Sequence, residues 1–178
     1  MQKKTKDWSM DTFDLTTKLL QVNPEFYTIW NFRRNIMLNG LFPARCDAFL
    51  HVKVYLLIYT SSSPKEVNTL LSTELSMTTT ALKAHPKVYW IWNHRQWCLE
   101  NVPDGPGEEG ADLQGWRKAN WDRELFVVDK MLDADARNCA SLRYIVSMSM
   151  LTPWLLSSCL ELSEICIGQH AIPQTRSI

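Results

Sequence analysis

The sequence lacks net charge and is poor in glycine. The first feature bears on which partners the protein can bind, and the second on how its core is packed. Its 178 residues carry 19 Lys and Arg against 19 Asp and Glu. This balance gives no electrostatic reason to expect nucleic acid or an anionic membrane as the main partner. Only 6 Gly stand beside 8 Trp. Because a core must find room for so many large rings, the ratio indicates that tryptophan is a recurring packing device.

Signals for export, membrane insertion and cross-linking are also missing. No apolar run reaches the roughly 18 residues that span a bilayer, and no apolar stretch follows the charged residues 1–7. The five Cys form no C-x-x-C pair, which predicts reduced thiols in the cytosol. We therefore expect a cytoplasmic protein, and no cluster of Cys, His and Asp at zinc-ligand spacing is visible.

Two twelve-residue segments of the chain align without gaps. They are NPEFYTIWNFRR over residues 23–34 and HPKVYWIWNHRQ over residues 85–96. Pro, Tyr, Ile, Trp, Asn and Arg coincide, and a third unit begins with DARN over residues 135–138. An internal repeat of this kind decides the fold class and must be recognised first.

The start of each repeat predicts a helix N-terminus. Asn23 and His85 stand where an N-cap belongs, and Pro24 and Pro86 stand at the first helical position, where a missing N–H costs nothing. Apolar residues then recur at helical spacing. A further helix precedes each repeat, and the second of these opens with a capping box at Ser63. We predict these preceding helices over residues 14–22, 65–84 and 121–134.

Each of the two aligned repeats carries a Trp followed one turn later by an Arg. These pairs are Trp30 with Arg33 and Trp92 with Arg95. The Trp ring can be buried between neighbouring helices, and the guanidinium can bond carbonyls or carboxylates of the next repeat. Because one helical hairpin cannot cover its own apolar face, the hairpins must stack. The pattern predicts an all-α fold of helical hairpins in series.

Two segments interrupt the repeats. Residues 44–63 include HVKVYLLIY, a β-branched and aromatic run that is typical of a strand. A single strand in a helical array has no pairing partner, so we favour an insertion over a true strand. Residues 101–119 hold four of the six Gly and two Pro, which predicts a surface loop.

The composition changes after residue 138. The Trp and Arg due in the third unit are Leu142 and Ile145, and only four of residues 139–178 are charged. We assign residues 1–138 to a repeat region and residues 139–178 to a divergent tail. Alternative splicing or a reading-frame change would explain such a tail. Its cysteines are interpreted as incidental rather than as metal ligands.

The segment PKVYWIWNHRQW over residues 86–97 resembles the repeat of protein prenyltransferase α subunits. The segments WDRELF over 121–126 and LDADARN over 132–138 resemble the stretch between two such repeats. Within the family, the subunits of the type II, Rab-directed geranylgeranyltransferases are the most similar. The resemblance covers residues 13–42 and 64–138.

The resemblance implies a right-handed α–α superhelix that wraps a β subunit. It also implies transfer of a geranylgeranyl group from geranylgeranyl diphosphate to C-terminal cysteines of Rab GTPases, which a Rab escort protein presents. In this family the catalytic zinc and most of the isoprenoid pocket belong to the β subunit, so no cofactor is expected in this chain. The chain would then be an enzyme subunit that is active only with its β partner.

The resemblance carries over one catalytic residue, Lys87. It matches a family Lys that reaches the diphosphate, where a fixed ammonium would stabilise the charge left by C–O cleavage. A position at the start of a helix would add a favourable field for phosphate. Glu25 stands at the matching place in the first repeat, so packing alone does not require the Lys. The alternative is a solvated Lys in a first turn.

Tyr89 is the second candidate, for substrate binding. In farnesyltransferase relatives the matching Tyr faces the mouth of the active site and is followed by a Gln that contacts the peptide carboxylate. Here Trp90 replaces that Gln, which favours an enzyme that does not require a strict CaaX end. Tyr27 holds the same place in the first repeat, so a packing role is the alternative.

Two other functions stay open on the sequence alone. One is the α subunit shared by farnesyltransferase and geranylgeranyltransferase type I. The other is a non-catalytic scaffold of helical repeats that binds proteins on its concave face. His94, which lies on a Trp-rich helix, is interpreted as a hydrogen-bonded helix residue rather than a catalyst.

Overall fold

The computed structural model describes residues 7–42, 63–106 and 114–149. This part of the chain is helical and contains no strand, which confirms the predicted all-α class. No helix among these residues is long and apolar enough to cross a membrane. The predicted insertion, apart from Ser63, and the tail beyond residue 149 lie outside the described residues. The helices are α1 Met10–Val22, α2 Tyr27–Ile36, α3 Pro64–Ala84, α4 Tyr89–Glu100, α5 Gly115–Ala134 and α6 Cys139–Ser149, with a π-helical turn over Met37–Leu41.

The six helices of the described residues form three hairpins, α1–α2, α3–α4 and α5–α6. The second helices α2, α4 and α6 pack side by side, and the first helices α3 and α5 pack on each other. One apolar core runs through the contacts between hairpins. A series of stacked hairpins therefore forms, as expected when each hairpin leaves an apolar face that only its neighbour can cover.

The N-terminus of α3 confirms the predicted capping box. The Ser63 hydroxyl accepts from the Glu66 N–H at 3.3 Å, and the Glu66 carboxylate accepts from the Ser63 N–H at 2.7 Å. Pro64 opens the helix. Both orphan donors are satisfied, so the helix begins where the sequence indicates.

The predicted N-caps at Asn23 and His85 are wrong. Both residues end the preceding helix, and their backbone N–H groups donate to Leu19 O at 3.0 Å and Ala81 O at 2.9 Å. The prolines that follow lie in a tight turn, and α2 and α4 begin three residues later. Asn and Pro are common at the end of a helix and in tight turns as well as at the start of a helix. The residue types at these positions therefore do not distinguish a turn from the first residues of the next helix.

Helix α5 begins at Gly115, inside the predicted loop over residues 101–119. The loop folds back on this helix, because the Trp116 N–H donates to Gly105 O at 3.2 Å. A Cβ added at Gly105 would lie 2.1 Å from the Trp116 ring, so only glycine permits this approach. The described loop is therefore shorter than the composition suggested.

Helix α6 extends the stack into the segment predicted as a divergent tail. Asn138 caps it, since its Oδ1 accepts from the N–H groups of Ala140 and Ser141 at 3.2 and 3.3 Å. Its Nδ2 donates to Pro86 O at 3.1 Å, which ties the turn to the preceding hairpin. The described hairpins thus continue past the change of composition at residue 138. An origin of the tail by splicing or frame change stays a prediction.

Candidate functional site

Arg33 joins the first hairpin to the second inside the core. Its Nε and Nη2 donate to the two carboxylate oxygens of Glu74 at 2.7 and 2.6 Å. Its Nη1 donates to Phe13 O at 3.0 Å and to the hydroxyls of Thr16 and Thr17. Both charged side chains are only 2% exposed. The guanidinium therefore holds its own hairpin and the first helix of the next one together.

Arg95 makes the same set of contacts one hairpin later. Its Nε and Nη2 donate to the carboxylate of Glu124. Its Nη1 donates to Leu75 O at 2.6 Å and to the hydroxyls of Thr78 and Thr79 at 2.7 and 2.9 Å. These partners occupy the positions equivalent to those around Arg33. We name each buried Arg with its Glu, Arg33–Glu74 and Arg95–Glu124, an Arg–Glu clamp.

Each clamp is completed by a ring from the helix that follows the Glu. His94 Nε2 lies 3.0 Å from Glu74 Oε2, and the Tyr144 hydroxyl donates to Glu124 Oε1 at 2.7 Å. The same rings pack on the Trp of the preceding hairpin, with centroids 4.6 Å apart for Trp30 and His94 and 4.9 Å apart for Trp92 and Tyr144. Trp30 and Trp92 thus lie in equivalent surroundings.

The Trp indoles also close the turns before their own helices. Trp30 Nε1 donates to Pro24 O at 2.8 Å, and Trp92 Nε1 donates to Pro86 O at 2.9 Å. Both rings are 1% exposed. A buried indole N–H needs an acceptor, and the carbonyl of the turn proline supplies it.

The two Glu residues and Tyr144 were missed by the sequence analysis. A signal for the carboxylates was present, because Glu74 and Glu124 stand at the same distance before the ends of α3 and α5 at Ala84 and Ala134. The separation along the chain from each Arg to its Glu differs between the two clamps, which hides the pairing from a search for fixed spacing.

The electrostatics of the clamp keep Glu74 ionised and His94 neutral. Burial opposes ionisation of Glu74, but hydrogen bonds from Arg33 and His94 outweigh it and hold its pKa at about 2. Burial lowers the pKa of His94, against the raising effect of Glu74. Arg34 Nε donates to His94 Nδ1 at 3.3 Å, so the ring proton sits on Nε2 and faces Glu74. His94 is therefore a fully buried hydrogen-bonding residue of the helix.

Lys87 lies on the surface, in the turn between α3 and α4. Because α4 begins at Tyr89, the Lys precedes the helix and is not in its first turn. Its Nζ is 2.9 Å from Asp135 Oδ2, and the two side chains are 64% and 36% exposed. The hydrogen bond from Lys87, with one from the backbone of Arg137, lowers the pKa of Asp135. The ion pair links the turns of the second and third hairpins.

Tyr89 is at the N-terminus of α4 with its ring 47% exposed. Its centroid lies 5.3 Å from that of Trp90, whose other neighbour is Tyr27 at 5.3 Å. Arg143 Cζ stands 5.9 Å from the centroid of the Tyr89 ring. The two tyrosines are therefore exposed rings on either side of Trp90, and of the two only Tyr89 is close to Lys87 in sequence.

The described residues form a small cavity beside Tyr89 and a wider groove elsewhere on the hairpins. A cavity of about 160 Å³ lies between α4 and α6, and Tyr89 and Arg143 are among its lining residues. A wider groove of about 670 Å³ runs between α3 and α5 over the Arg95–Glu124 clamp. Within residues 7–42, 63–106 and 114–149, no group of three or more His, Cys, Asp and Glu side chains could hold a metal ion.

Stacked helical hairpins, joined through buried Arg–Glu clamps and Trp–ring contacts, define a helical-repeat protein. The family described as protein prenyltransferase alpha subunit repeat matches residues 10–40 and 71–102. These ranges contain Trp30 with Arg33 and Trp92 with Arg95. Residues 10–40 and 71–102 thus match prenyltransferase alpha subunit repeats.

Curated relatives agree with this assignment. The chain is 36% identical over 136 residues to the geranylgeranyl transferase type-2 subunit alpha of Candida albicans, covering 75% of this chain and 29% of the relative. It is 34% identical over 133 residues to the subunit of the same name from Saccharomyces cerevisiae, covering 75% and 31%. It is 30% identical over 125 residues to that of Mus musculus, covering 70% and 16%. The chain thus spans less than a third of the length of these relatives.

Proposed function

We propose that this chain supplies the α-subunit repeats of a heterodimeric Rab geranylgeranyltransferase. The observation that carries the proposal is its similarity, over 75% of this chain, to subunits named geranylgeranyl transferase type-2 subunit alpha. The partner would be a prenyltransferase β subunit. The enzyme would transfer a geranylgeranyl group from geranylgeranyl diphosphate to the C-terminal cysteines of a Rab GTPase presented by its Rab escort protein.

Zinc is assigned in this proposal to the β subunit, as the resemblance implies, and would activate the acceptor thiol there. The contribution of this chain is a rigid surface that presents charge and aromatic rings to the partner. Buried clamps suit this purpose, because they fix the positions of the helices that carry the surface rings and of the turns between those helices. The cytoplasm is the compartment in which such a complex would act.

Lys87 is proposed as the catalytic residue of this chain. Cleavage of the C–O bond adds negative charge to the departing diphosphate. A nearby ammonium stabilises this added charge and therefore lowers the energy of the transition state more than that of the ground state. The exposed pair with Asp135 does not prevent this, since solvent-exposed ion pairs are weak and exchange partners readily. A diphosphate carries more charge than one carboxylate and would draw the ammonium toward it.

Tyr89 is proposed to contact substrate beside Lys87. Tyr89 is the first residue of α4, is exposed, and stands next to Trp90. A flat aromatic surface without the Gln of the farnesyltransferases offers no amide to bind a fixed C-terminal carboxylate. This arrangement favours a Rab substrate over a CaaX peptide.

Replacement of Lys87 by Ala tests the catalytic proposal in the assembled enzyme. The chain is co-expressed with a Rab-type β subunit, and geranylgeranyl transfer to a Rab with its escort protein is measured. We expect the variant to lower kcat at least tenfold while the amount of heterodimer on size-exclusion chromatography stays the same. Asp135→Asn is the control for loss of the ion pair alone. Unchanged turnover in Lys87→Ala would remove this residue from the mechanism.

A further inference from the structure

The first hairpin has an apolar stripe that is exposed. Leu15, Leu19 and Val22 are spaced i, i+4 and i+7 on α1, which places them on one side of the helix. Phe26 follows in the turn after α1. These four side chains, which we name the α1 stripe, are between 47% and 86% exposed. Singly exposed apolar residues are normal on a protein surface, whereas a row of them indicates a contact face.

The equivalent side of the second hairpin shows what kind of element fits this face. In the repeat alignment, Met77 and Ala81 of α3 stand where α1 has Leu15 and Leu19. Both are partly buried and packed against the core. They share one side of α3 with Glu74, which forms the clamp with the preceding hairpin. The α1 stripe is therefore the side on which another helical hairpin would pack.

A preceding hairpin of the same repeat type would not find a clamp on α1. Glu74 stands one residue before Leu75, whose carbonyl accepts from the Arg of its own hairpin. In α1 the corresponding carbonyl is that of Phe13, so Thr12 stands at the position of the Glu. The Thr12 hydroxyl donates to Asp7 Oδ2 at 2.7 Å. A buried Arg from such a hairpin would have no carboxylate, and an uncompensated buried charge is costly.

Head-to-tail stacking of two chains, α6 on α1, would lack the other member of the clamp as well. Ile145 stands at the Arg position of α6. Each added chain would also leave its own α1 stripe or that of its neighbour open, so the assembly would not close. A closed arrangement instead pairs the α1 stripe with the same stripe of a second chain.

The charges beside the stripe are arranged for such a pair. Asp14 and Lys18 directly precede the two leucines of α1, and both are exposed. Within the described residues, no ion pair involves either of them. When two α1 helices pack antiparallel about a two-fold axis, Leu15 of each chain faces Leu19 of the other, and Asp14 comes opposite Lys18. A parallel pair would place Asp14 beside Asp14, so the charges select the antiparallel one.

The size of the contact sets its strength. Helix α1 has 13 residues, which gives a length of about 20 Å. A single helix pair of this length buries less than the roughly 1,200 Å² at which stable interfaces begin. We therefore expect a weak dimer whose population rises with protein concentration.

We propose that the α1 stripe is a binding surface for a second copy of this chain and forms a closed, antiparallel dimer. The apolar stripe supplies the contact, and Asp14 with Lys18 fixes its direction. The proposal goes beyond the proposed prenyl transfer and does not rest on it, because the turn that carries Lys87 takes no part.

Sedimentation equilibrium of the purified 178-residue chain, over a range of protein concentrations, tests the proposal. We expect a reversible equilibrium between monomer and dimer without larger species. A monomer at every concentration would overturn the proposal and leave the stripe to a different partner. Growth beyond the dimer would also overturn it, in favour of head-to-tail stacking.

The first variant is Leu19→Glu, with Phe126→Glu as the matched control. Both substitutions place a carboxylate at an exposed apolar position on the first helix of a hairpin, but Phe126 lies on α5. We expect Leu19→Glu to raise the Kd of the dimer by about tenfold or more and Phe126→Glu by less than about twofold. Equal effects of the two variants would contradict a contact through the stripe.

Charge reversal tests the antiparallel pairing without changing the apolar residues. Lys18→Asp should raise the Kd about threefold, because it opposes two carboxylates at each end of the contact. The double variant Asp14→Lys/Lys18→Asp should return the Kd to that of the unaltered chain, since both pairs form again with reversed sign. A double variant as weak as Lys18→Asp would overturn the antiparallel pairing. None of these measurements requires prenyl transfer, so their failure is distinct from failure of the proposed function.

Discussion

Arg33 and Arg95 show how one residue type can organise a stack of hairpins. Each guanidinium bonds a carboxylate of the next hairpin and a carbonyl and hydroxyls of its own. The sequence predicted carbonyl or carboxylate partners in the next repeat and named neither Glu. The carboxylates do lie in the next hairpin, but the bonded carbonyls belong to the hairpin of the Arg itself. The acids lie on helices that were predicted by their apolar spacing, and a single buried Glu on such a helix does not disturb that spacing.

Replacing Arg33 by Met should leave Glu74 buried without its main partner. Removing one member of a buried ion pair costs about 3–5 kcal/mol, because the remaining charge is uncompensated. We expect urea unfolding of the purified chain to show a loss of that size for Arg33→Met. The double variant Arg33→Met/Glu74→Leu should recover part of it, and Lys87→Ala should change stability by less than about 0.5 kcal/mol. A similar loss in Arg33→Met and Lys87→Ala would contradict the role of the clamp.

The titration of the clamp predicts how stability depends on pH. The folded pKa of Glu74 is about 2, below its ordinary value of 4.5, so its contribution is present above pH 4.5 and lost as the pH falls toward 2. The pKa of His94 is also lowered, from 6.5, so the unfolded chain takes up a proton first and stability already falls as the pH drops below 6.5.

Substitution of His94 by Gln separates these two effects. Gln keeps an N–H donor for Glu74 but does not titrate, so the loss of stability that begins near pH 6.5 should shrink, while the loss below pH 4.5 remains. Chemical unfolding measured at intervals between pH 8 and pH 2 records both regions. An unchanged profile between pH 7 and pH 5 in His94→Gln would show that the imidazole is not buried neutral.

At the scale of elements, the helices could be predicted more reliably than their ends. Apolar spacing located α3, α4 and α5, and the capping box located the start of α3. The starts of α2 and α4 were predicted wrongly from Pro24 and Pro86, because proline is favoured in turns as well as at the first position of a helix. The extent of α6 could not be predicted, since Leu142 and Ile145 replace the Trp and Arg that mark the repeat.

Helix α6 depends on Asn138 for its start and for its position. The Asn side chain caps α6 and also donates to Pro86 O in the preceding turn. Asn138→Ala should therefore destabilise the chain by about 1–2 kcal/mol, the range expected for loss of a good N-cap. Thermal unfolding monitored by circular dichroism measures this loss. The exposed Asn39→Ala is the comparison, and an equal effect of both would argue against the cap.

At the largest scale, the three hairpins among the described residues repeat one set of contacts with different completeness. The first two hairpins have both the Trp and the Arg, and the third keeps only the ring, Tyr144, that supports Glu124. The family and the stacking of hairpins could be predicted from the two complete repeats. The site could be predicted less well, because the pairing of Lys87 with Asp135 and the cavity beside Arg143 arise between hairpins and leave no pattern in sequence.

Selective assembly with a β subunit tests the account most directly. The chain is co-expressed in turn with the β subunits of a Rab geranylgeranyltransferase, a farnesyltransferase and a type I geranylgeranyltransferase, and complexes are isolated by size-exclusion chromatography. The account predicts a one-to-one complex with the Rab-type β subunit in preference to the other two. Preference for another β subunit would contradict the assignment to the Rab enzyme, and failure to bind any of the three would contradict an α-subunit role.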